Sequence, residues 1–461
     1  MEQASQTESC PLSEEPECSS TGKHSHSNAT PGSPSVTLVP DWTDWKSALE
    51  EKHESPARAE IGLDVDRPIV MSGHQPIVFH CGILSKLIAL DESAKQMNAQ
   101  AVWIVPDQDA VDPGIVRVPV GNRETLRTQL VELLPEHSVH QGVSVGSMSA
   151  MEIVSPDHES LKPLAQWLDQ YAMMETLAEQ FGYATIEHAC ELLGIDAPRL
   201  IFASVLFGSD ALYSIVESMR NDPMSCALSY NAAVARHPEA AVRPLTLDGD
   251  QIELPLWGCR KNEARVAIHS KNIDQFTREE IVPRGLMMSA IARAHLADLF
   301  IHGSGGYIYD RVSEEWMRDW LNIELRPMAM ATATHRLDLG FSKDESFDPA
   351  TSLWRKHHAQ HHPKLVGDQI SQQLRDRVVK QIQSLKRKDP QRLTLYRDLQ
   401  SLLITYRLNH ESELAEFESQ ALSAINLKDQ YRIANDRTWA YVFFNNDELS
   451  SLDRATRALM S

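Results

Sequence analysis

Residues 67–112, RPIVMSGHQPIVFHCGILSKLIALDESAKQMNAQAVWIVPDQDAVD, contain the pattern that decides the fold. Residues 67–71 form a short apolar run rich in β-forming residues, and residues 101–105 form a second run that Pro106 stops. Between them, from about residue 79 to residue 97, apolar side chains recur at helical spacing. A strand, a helix and a strand in so short a stretch predict a βαβ unit with parallel strands and a right-handed crossover.

Polar side chains follow both predicted strands. His74 and Gln75 come after the first strand, and Asp107 and Asp109 come after the second. The carboxyl ends of neighbouring parallel strands meet at one edge, so these four catalytic candidates are expected to face one crevice beside a helix N-terminus, which favours anions. An imidazole can move a proton or stabilise a phosphoryl oxygen, and the aspartates can hold an amine or a Mg²⁺ that carries nucleotide phosphates. The alternative is that His74 and the aspartates only cap local turns.

The bulk composition bounds the class of protein. The 461 residues allow two or three domains, and the formal charge of −20 disfavours a nucleic-acid binder, because phosphate neutralisation needs a basic surface. No apolar run approaches the roughly 18 residues that a membrane helix needs. The first residues lack the pattern of a signal peptide, so a cytoplasmic protein with no membrane association is expected. Six scattered cysteines without a CxxC pair favour reduced thiols.

Three regions are predicted along the chain. Residues 1–38 are polar and rich in Ser, Thr, Gly and Pro, which is typical of a disordered tail. Residues 39–345 are expected to form an α/β core with a helical and hairpin insertion at about 155–270, and residues 346–461 a helical region. Further strands are expected at 114–120, 130–134, 200–207, 244–247, 251–256, 265–269, 300–301 and 327–333. Further helices are expected at 161–193, 209–219, 286–299 and 307–321. The spacing of Leu395, Leu399, Leu402 and Tyr406 predicts a coiled-coil seam. The C-terminal helices are expected to pair antiparallel and to offer a homodimer surface.

The segment HGSGG, residues 302–306, is a second candidate binding loop. Its successive backbone N–H groups suit a phosphate or a carboxylate. It lacks the lysine of a P-loop and the spacing of GxGxxG, so a structural tight turn is an equal alternative. Arg284 and Arg336 lie near the flanking strands, and either guanidinium group can form two hydrogen bonds to a carboxylate. The alternative is that they are surface arginines without a ligand.

Two further motifs resemble functional sites but also have an alternative without function. HHAQHH, residues 357–362, places His357 with His361 and His358 with His362 at metal-binding spacing, but no acidic third ligand is near, and no metal site is predicted. Cys81 at a helix start is a candidate reactive thiol, and a buried, inert cysteine is the more frequent case.

The stretch SGHQPIVFHCGIL followed by VWIVPDQD resembles the bacillithiol biosynthesis cysteine-adding enzymes. That family's hallmark reads TGQQPGLF-x-GPLY, a helix, and then a strand ending in FWIATEDHD. LPLW (254–257) is similar to its LPxW run, and IHGSGGYIY (301–309) to its GGPGExAY segment. The positions that match are Gly73, Gln75, Pro76, Phe79, Gly82, Leu84, Trp103, Ile104, Gly303, Gly305 and Tyr309.

The resemblance implies a Rossmann-like core and ATP-linked formation of an amide, in that family between the carboxyl group of cysteine and the amino group of glucosaminyl malate. ATP is then the expected cofactor, with Mg²⁺ beside it. Together with the residue patterns above, this gives the expected nucleotide-binding residues Gly73, Gly82, Lys86, Gly303, Ser304, Gly305 and Gly306 and the expected substrate-binding residues Tyr309 and Arg284.

The chain departs from the family pattern at four positions. His74 replaces the first glutamine, Gln108 stands near a histidine position, Gly306 replaces a glutamate, and Ala89 replaces a lysine, with Lys86 one turn earlier. Two alternatives therefore stand beside the ligase. One is a nucleotidyltransferase-like enzyme, and the other is a catalytically degenerate relative that binds a ligand or partner without turnover.

Overall fold

The computed structural model describes residues 33–136, 138–342 and 348–461. The strands are β1 (Ser35–Val39), β2 (Ile69–Gly73), β3 (Gln100–Val105), β4 (Ile115–Val120), β5 (Arg127–Glu132), β6 (Arg199–Phe202), β7 (Leu247–Asp248), β8 (Gln251–Gly258), β9 (Val266–His269), β10 (Ile281–Pro283), β11 (Leu299–His302) and β12 (Met328–Thr334). The α-helices are α1 (Trp42–Glu50), α2 (Pro56–Glu60), α3 (Cys81–Met97), α4 (Lys162–Gln170), α5 (Leu177–Leu193), α6 (Asp210–Asn221), α7 (Pro223–Arg236), α8 (Gly285–Ile291), α9 (Ser304–Leu321), α10 (Ala350–Ala359), α11 (Gln369–Ser384), α12 (Gln391–Asn409), α13 (Glu411–Ala434) and α14 (Asn446–Ala458). Within the described ranges, no helix has the length and apolar character needed to cross a bilayer.

Six strands form the central sheet, in the order β1-β12-β11-β2-β3-β6. The five strands from β12 to β6 run parallel, and β1 pairs antiparallel with β12 at one edge. The chain therefore moves outward from β2 through β3 to β6, and in the opposite direction from β11 to β12. The strand order reverses between β2 and β11, and a crevice forms at the carboxyl ends of such a pair.

Both faces of this sheet are buried. Along β2, Val70 packs into one apolar cluster with α3, α5 and α14, whereas Ile69 and Met71 pack into a second cluster with α7, α8 and α9. In β3, Trp103 and Val102 divide between the two clusters in the same way. A strand with two buried faces reads as a continuous apolar run, which is the pattern found in the sequence.

The predicted βαβ unit is confirmed. β2 and β3 pair in parallel, with Met71 opposite Val102, and α3 connects them. The side chain of His80 accepts a hydrogen bond from the Gly82 amide and caps the start of α3, and Asn98 in the left-handed conformation ends it. The predicted hairpin also forms around Gly249, with β9 as its third strand.

Several predicted boundaries are wrong, and the predicted helix at 161–193 is two helices, α4 and α5. The strand predicted to reach Phe207 ends at Phe202, because its last partner in β3 is Val105, and residues 203–208 form a 3₁₀ helix. The predicted helix at 286–299 ends at 291 and continues as one π-helical segment before β11 begins at Leu299. Residues 35–38, which were expected in the tail, belong to β1 because Val36 and Leu38 are buried against β12. Residues 1–32 lie outside the described residues.

The C-terminal helices pack in pairs and then return to the core. α11 packs against α12, and α10 packs against α13. Of the predicted seam, Tyr406 is buried and donates a hydrogen bond from its hydroxyl to the Ala359 carbonyl at 2.6 Å, while Leu395, Leu399 and Leu402 are half-buried. After α13 the chain reaches α3 again, where Arg457 pairs with Asp91 at 2.8 Å.

Candidate functional site

A cavity of about 410 Å³ lies at the carboxyl ends of β2, β3 and β11, where the strand order reverses. The loop after β2 and the first turns of α3 and α9 form its walls. His74 and Gly305, far apart in the sequence, both line this one cavity. The proximity that the sequence predicted is therefore present in the structure.

The segment HGSGG is the start of a helix and not a free loop. His302 ends β11, Gly303 is the N-cap, and α9 begins at Ser304, three residues before the predicted start. The first hydrogen bond of the helix runs from the Tyr307 amide to the Gly303 carbonyl at 3.0 Å. The amides of residues 304–306 precede that bond, so they have no partner within the helix and are available at its positive end.

Three glycines that line the cavity have different surroundings. A Cβ at Gly306 would lie 2.6 Å from Nδ1 of His302, so the helix can approach the histidine only without a side chain there. A Cβ at Gly305 would meet nothing within 4 Å, because this position faces open space. A Cβ at Gly73 would lie 2.2 Å from the Ile104 carbonyl oxygen, which fixes the close approach of β2 and β3.

Lys86 brings a cation to the same cavity from the second turn of α3. The residue is 4% exposed, its Nζ donates to the Gly73 carbonyl at 2.5 Å, and it lies 5.3 Å from the centre of the Trp103 ring. Burial lowers the pKa of Lys86 to about 7. Among the described residues, no carboxylate is within ion-pair distance of its amine. Lys86 can therefore gain or lose a proton near neutral pH.

His74 is held in its neutral form. Burial, together with the charge of Lys86, lowers the pKa of His74 to about 3. Its Nδ1 lies 3.2 Å from the Gln75 carbonyl oxygen, and its ring lies 6.2 Å from that of Phe79. A neutral imidazole offers one donor and one acceptor, so His74 is suited to hydrogen bonding and not to carrying a positive charge.

Gln75 and Asp109 meet as predicted. The Gln75 amide donates to Oδ2 of Asp109 at 2.8 Å. Arg265 approaches Oδ1 of Asp109 at 3.5 Å, donates to the Gln108 carbonyl at 2.8 Å and stacks over the Trp257 ring. Asp109 is therefore a fixed carboxylate at the cavity wall.

Asp107 faces away from His74, contrary to the prediction of one four-residue crevice. Its carboxylate accepts hydrogen bonds from the backbone amide and the hydroxyl of Ser204, and it lines a separate, smaller cavity. The backbone turns at residues 107–108, where the Asp107 amide donates to the Val105 carbonyl at 2.9 Å, so the strand alternation that would place Asp107 and Asp109 on one side is broken. Burial raises the pKa of Asp107 to about 6. Gln108, between the two aspartates, lines both cavities.

His302 is a site residue that the sequence reasoning did not single out. Its Nε2 lies 3.1 Å from Oδ2 of Asp310, which Arg293 also binds at 2.6 Å. Burial alone would raise the pKa of Asp310, but the charges of His302 and Arg293 hold this pKa well below its usual range. Asp310 lies two turns into α9 on the same face as the N-terminal glycines, and this helical spacing was the signal available in the sequence.

Several other candidates lie elsewhere. Arg284 does not line the main cavity and binds Glu253 at 2.8 Å, and Arg336 donates to the Asn435 carbonyl at 3.1 Å. Burial raises the pKa of the Cys81 thiol, which fits the inert alternative. The ring centres of His357 and His361 lie 5.7 Å apart, and the described residues hold no group of three His, Cys, Asp or Glu placed to bind a metal ion.

The remaining predicted residues do reach the main cavity: Gly73, Gly82, Ser304, Gly306 and Tyr309 all line it. His80 and Arg437 line it as well and were not predicted. Neither the family models searched nor the curated proteins searched gave a match to this chain.

Proposed function

We propose that the protein is an ATP-linked ligase that joins the carboxylate of an amino acid to an amine. The observation that carries this proposal is the convergence of the α9 N-terminus, Lys86 and His74 on one cavity where the strand order reverses. The order β6-β3-β2-β11-β12 is also compatible with the predicted Rossmann-like core, in which nucleotides bind at this point. The family resemblance suggests cysteine and glucosaminyl malate as the first pair of substrates to test.

The start of α9 is suited to the phosphates of a nucleotide. Three successive amides, at residues 304–306, and the positive end of an 18-residue helix favour an anion. The open space over Gly305 leaves room for it. Lys86 lines the same cavity, and its Cδ lies 3.9 Å from the Cβ position of Gly303. Bound ATP would supply the phosphoryl group that activates the carboxylate.

Asp109 fits a Mg²⁺ that arrives with the nucleotide. Mg²⁺ in such sites takes one or two carboxylates and completes its shell with phosphate oxygens and water. Asp109 lines the main cavity, Gln75 holds its Oδ2, and a Mg²⁺ at Oδ1 would displace Arg265, which lies 3.5 Å from that oxygen. Asp107 belongs to the other cavity and is left out of this role.

His74 and Lys86 take different parts in the proposed reaction. Neutral His74 donates a hydrogen bond to an oxygen of the transferring phosphate, because its lowered pKa keeps it uncharged. Lys86, with a pKa of about 7, accepts a proton from the ammonium of the incoming amine. The carboxylate attacks the γ-phosphorus of ATP, and the bond from that phosphorus to the oxygen of the leaving ADP breaks. The freed amine then attacks the carbon of the acyl phosphate, the C–N bond forms, the bond from that carbon to the phosphate oxygen breaks, and the leaving phosphate takes the second proton of the amine.

The test is incubation of the protein with ATP, cysteine and glucosaminyl malate, followed by mass spectrometry of the joined product and ³¹P NMR of the released phosphate. The proposal expects the amide and inorganic phosphate in equal amounts, and a loss of both in His74→Ala. Pyrophosphate in place of phosphate would support the nucleotidyltransferase alternative. Nucleotide binding without any product from these or other amine pairs would support the degenerate relative.

The homodimer prediction has a candidate surface on α12. Leu393, Tyr396, Ile404 and Leu408 are exposed along one side of this helix, Leu408 by 72%. Adjacent exposed apolar side chains are typical of a protein interface. We propose that this side of α12 pairs with a second copy of the chain. Light scattering after size exclusion should give a dimer mass for the native protein and a monomer mass for Leu408→Glu, and a monomer in both cases would refute the pairing.

A further inference from the structure

A second cavity, of about 190 Å³, shares Gln108 with the main one. Its floor holds Asp107, Gln108 and Ser144, all buried. Its rim carries exposed Glu175, Lys261 and Glu279. The proposed ligase chemistry uses none of these rim residues, so the second cavity needs its own explanation.

Gln108 indicates that this floor is built to receive a polar molecule. The residue is 2% exposed, and neither the nitrogen nor the oxygen of its side-chain amide has a hydrogen-bond partner among the described residues. Burying an amide without partners is unfavourable, so folded proteins rarely retain one without a use. An amide both donates and accepts, and a hydroxylated molecule offers the matching acceptor and donor.

Asp107 adds a negative charge beside that amide. Ser204 holds the carboxylate in place, and a Cβ at Gly146 would lie 2.7 Å from Oδ2 of Asp107. The missing side chain at Gly146 therefore leaves a methyl-sized space beside that oxygen, which also accepts a hydrogen bond from the Ser204 hydroxyl. The hydroxyls of Ser144 and Ser147, 2.7 Å apart, extend the hydrogen-bonding wall.

The charges around the opening favour a cation. The carboxylates of Asp107, Glu175 and Glu279 outnumber the single amine of Lys261 among the residues that line the cavity. Asp109 and Arg265, from the neighbouring wall, pair with each other at 3.5 Å and largely cancel. An organic cation that enters here would meet one buried carboxylate and several neutral donors and acceptors.

We propose that the second cavity binds a small hydroxylated amine, with its ammonium on Asp107 and a hydroxyl on the amide of Gln108. The proposal does not depend on nucleotide chemistry in the main cavity. The amine lies next to that cavity because Gln108 belongs to both walls.

Cys259 provides a local reporter for this binding. It is half-buried and lines the second cavity, whereas Cys81, Cys190 and Cys226 are buried elsewhere. The rate at which iodoacetamide alkylates Cys259, followed by peptide mass spectrometry, should fall when 2-amino-1,3-propanediol is added. Glycerol, which has a hydroxyl in place of the amino group, should leave the rate unchanged. Equal protection by both compounds would refute the cation preference, and protection by neither would refute the site.

Two variants separate binding from folding. Gln108→Leu should weaken binding of the amine about tenfold while the melting temperature stays equal or rises, because two unpartnered buried atoms are removed. A lower melting temperature with unchanged protection of Cys259 would assign Gln108 to the fold alone and overturn the proposal. Gln251→Leu, at an exposed position of β8, is the matched control.

Asp107→Asn tests the charge. It keeps an oxygen that can accept from the Ser204 amide and should lose roughly tenfold or more in affinity for the amine. Unchanged affinity would overturn the assigned role of Asp107. Gly305→Asp, which alters only the main cavity, should leave the protection of Cys259 intact, so this site and the ligase proposal can fail separately.

Discussion

Replacing Gly305 with aspartate separates phosphate binding from folding at the start of α9. Gly305 is the second residue of the helix, and a Cβ there meets nothing within 4 Å. The new side chain therefore costs no steric strain. A carboxylate in the first turn of a helix is favourable by about 0.3–1 kcal/mol, because it faces the positive end of the helix dipole. The variant should fold at least as stably as the native protein.

The same carboxylate should oppose a phosphate strongly. Two like charges about 4 Å apart repel by roughly 4 kcal/mol at the effective dielectric of a protein surface, which corresponds to an affinity roughly a thousandfold weaker. Gly305→Ala adds a methyl group without charge and should change the affinity by less than about threefold.

The assay is titration calorimetry of ATP against native protein, Gly305→Asp and Gly305→Ala, with thermal unfolding of each protein without nucleotide. The native protein should bind ATP strongly, Gly305→Asp should show no measurable binding, and Gly305→Ala should bind nearly as the native protein does. The melting temperature of Gly305→Asp should equal or exceed that of the native protein. ATP binding that survives in Gly305→Asp would refute the assignment of the phosphates to this helix. No binding by the native protein would refute the nucleotide site itself.

Three further predictions follow from buried contacts. The pKa of Lys86 is about 7 in the folded protein and 10.5 in a free lysine. Between these pH values the unfolded chain binds more protons than the folded one, so the stability of the native protein rises with pH. The melting temperature of Lys86→Met should therefore exceed the native value most below pH 7, and a difference that does not shrink toward pH 10 would contradict this. Gly73→Ala should lower the free energy of unfolding by about 2–4 kcal/mol in urea titrations, because the new Cβ meets the Ile104 carbonyl. Gly208→Ala, at an open position, is the control. A loss for Gly73→Ala no larger than that of the control would contradict the close approach of β2 and β3. Asp298→Ala removes the buried partner of Arg58 and should cost about 3–5 kcal/mol in the same assay, and a change under about 1 kcal/mol would show that the pair is hydrated.

The βαβ unit and the meeting of two distant loops were predictable from the sequence because both follow from local patterns and sheet geometry. An apolar run, a helical period and a second apolar run specify β2, α3 and β3 without reference to the rest of the chain. Once a second strand with a following helix is recognised near residue 300, parallel pairing brings the two carboxyl ends to one edge.

The errors concern features that only tertiary contacts decide. Asp107 and Asp109 are two residues apart, and their separation into two cavities depends on the hydrogen bonds from Ser204 to Asp107 and from Gln75 to Asp109. β1 is a five-residue strand in a polar context, and its pairing with β12 supplies the burial that its own sequence does not predict. Glycines 303, 305 and 306 lower helix propensity, so the sequence indicated a loop where α9 already begins.

The segment after α13 affects when the cavity can form during synthesis of the chain. The amide of Tyr441 donates to the Phe79 carbonyl at 2.9 Å, and Arg437 forms part of the main cavity wall. Arg457 then clamps the far end of α3 through Asp91 and Glu92. The cavity formed by residues early in the sequence is thus closed by residues that are synthesised after the central sheet is complete. A nascent chain that has finished its sheet still lacks one wall of the cavity, so ligand capture must await the synthesis of Arg437 and its neighbours.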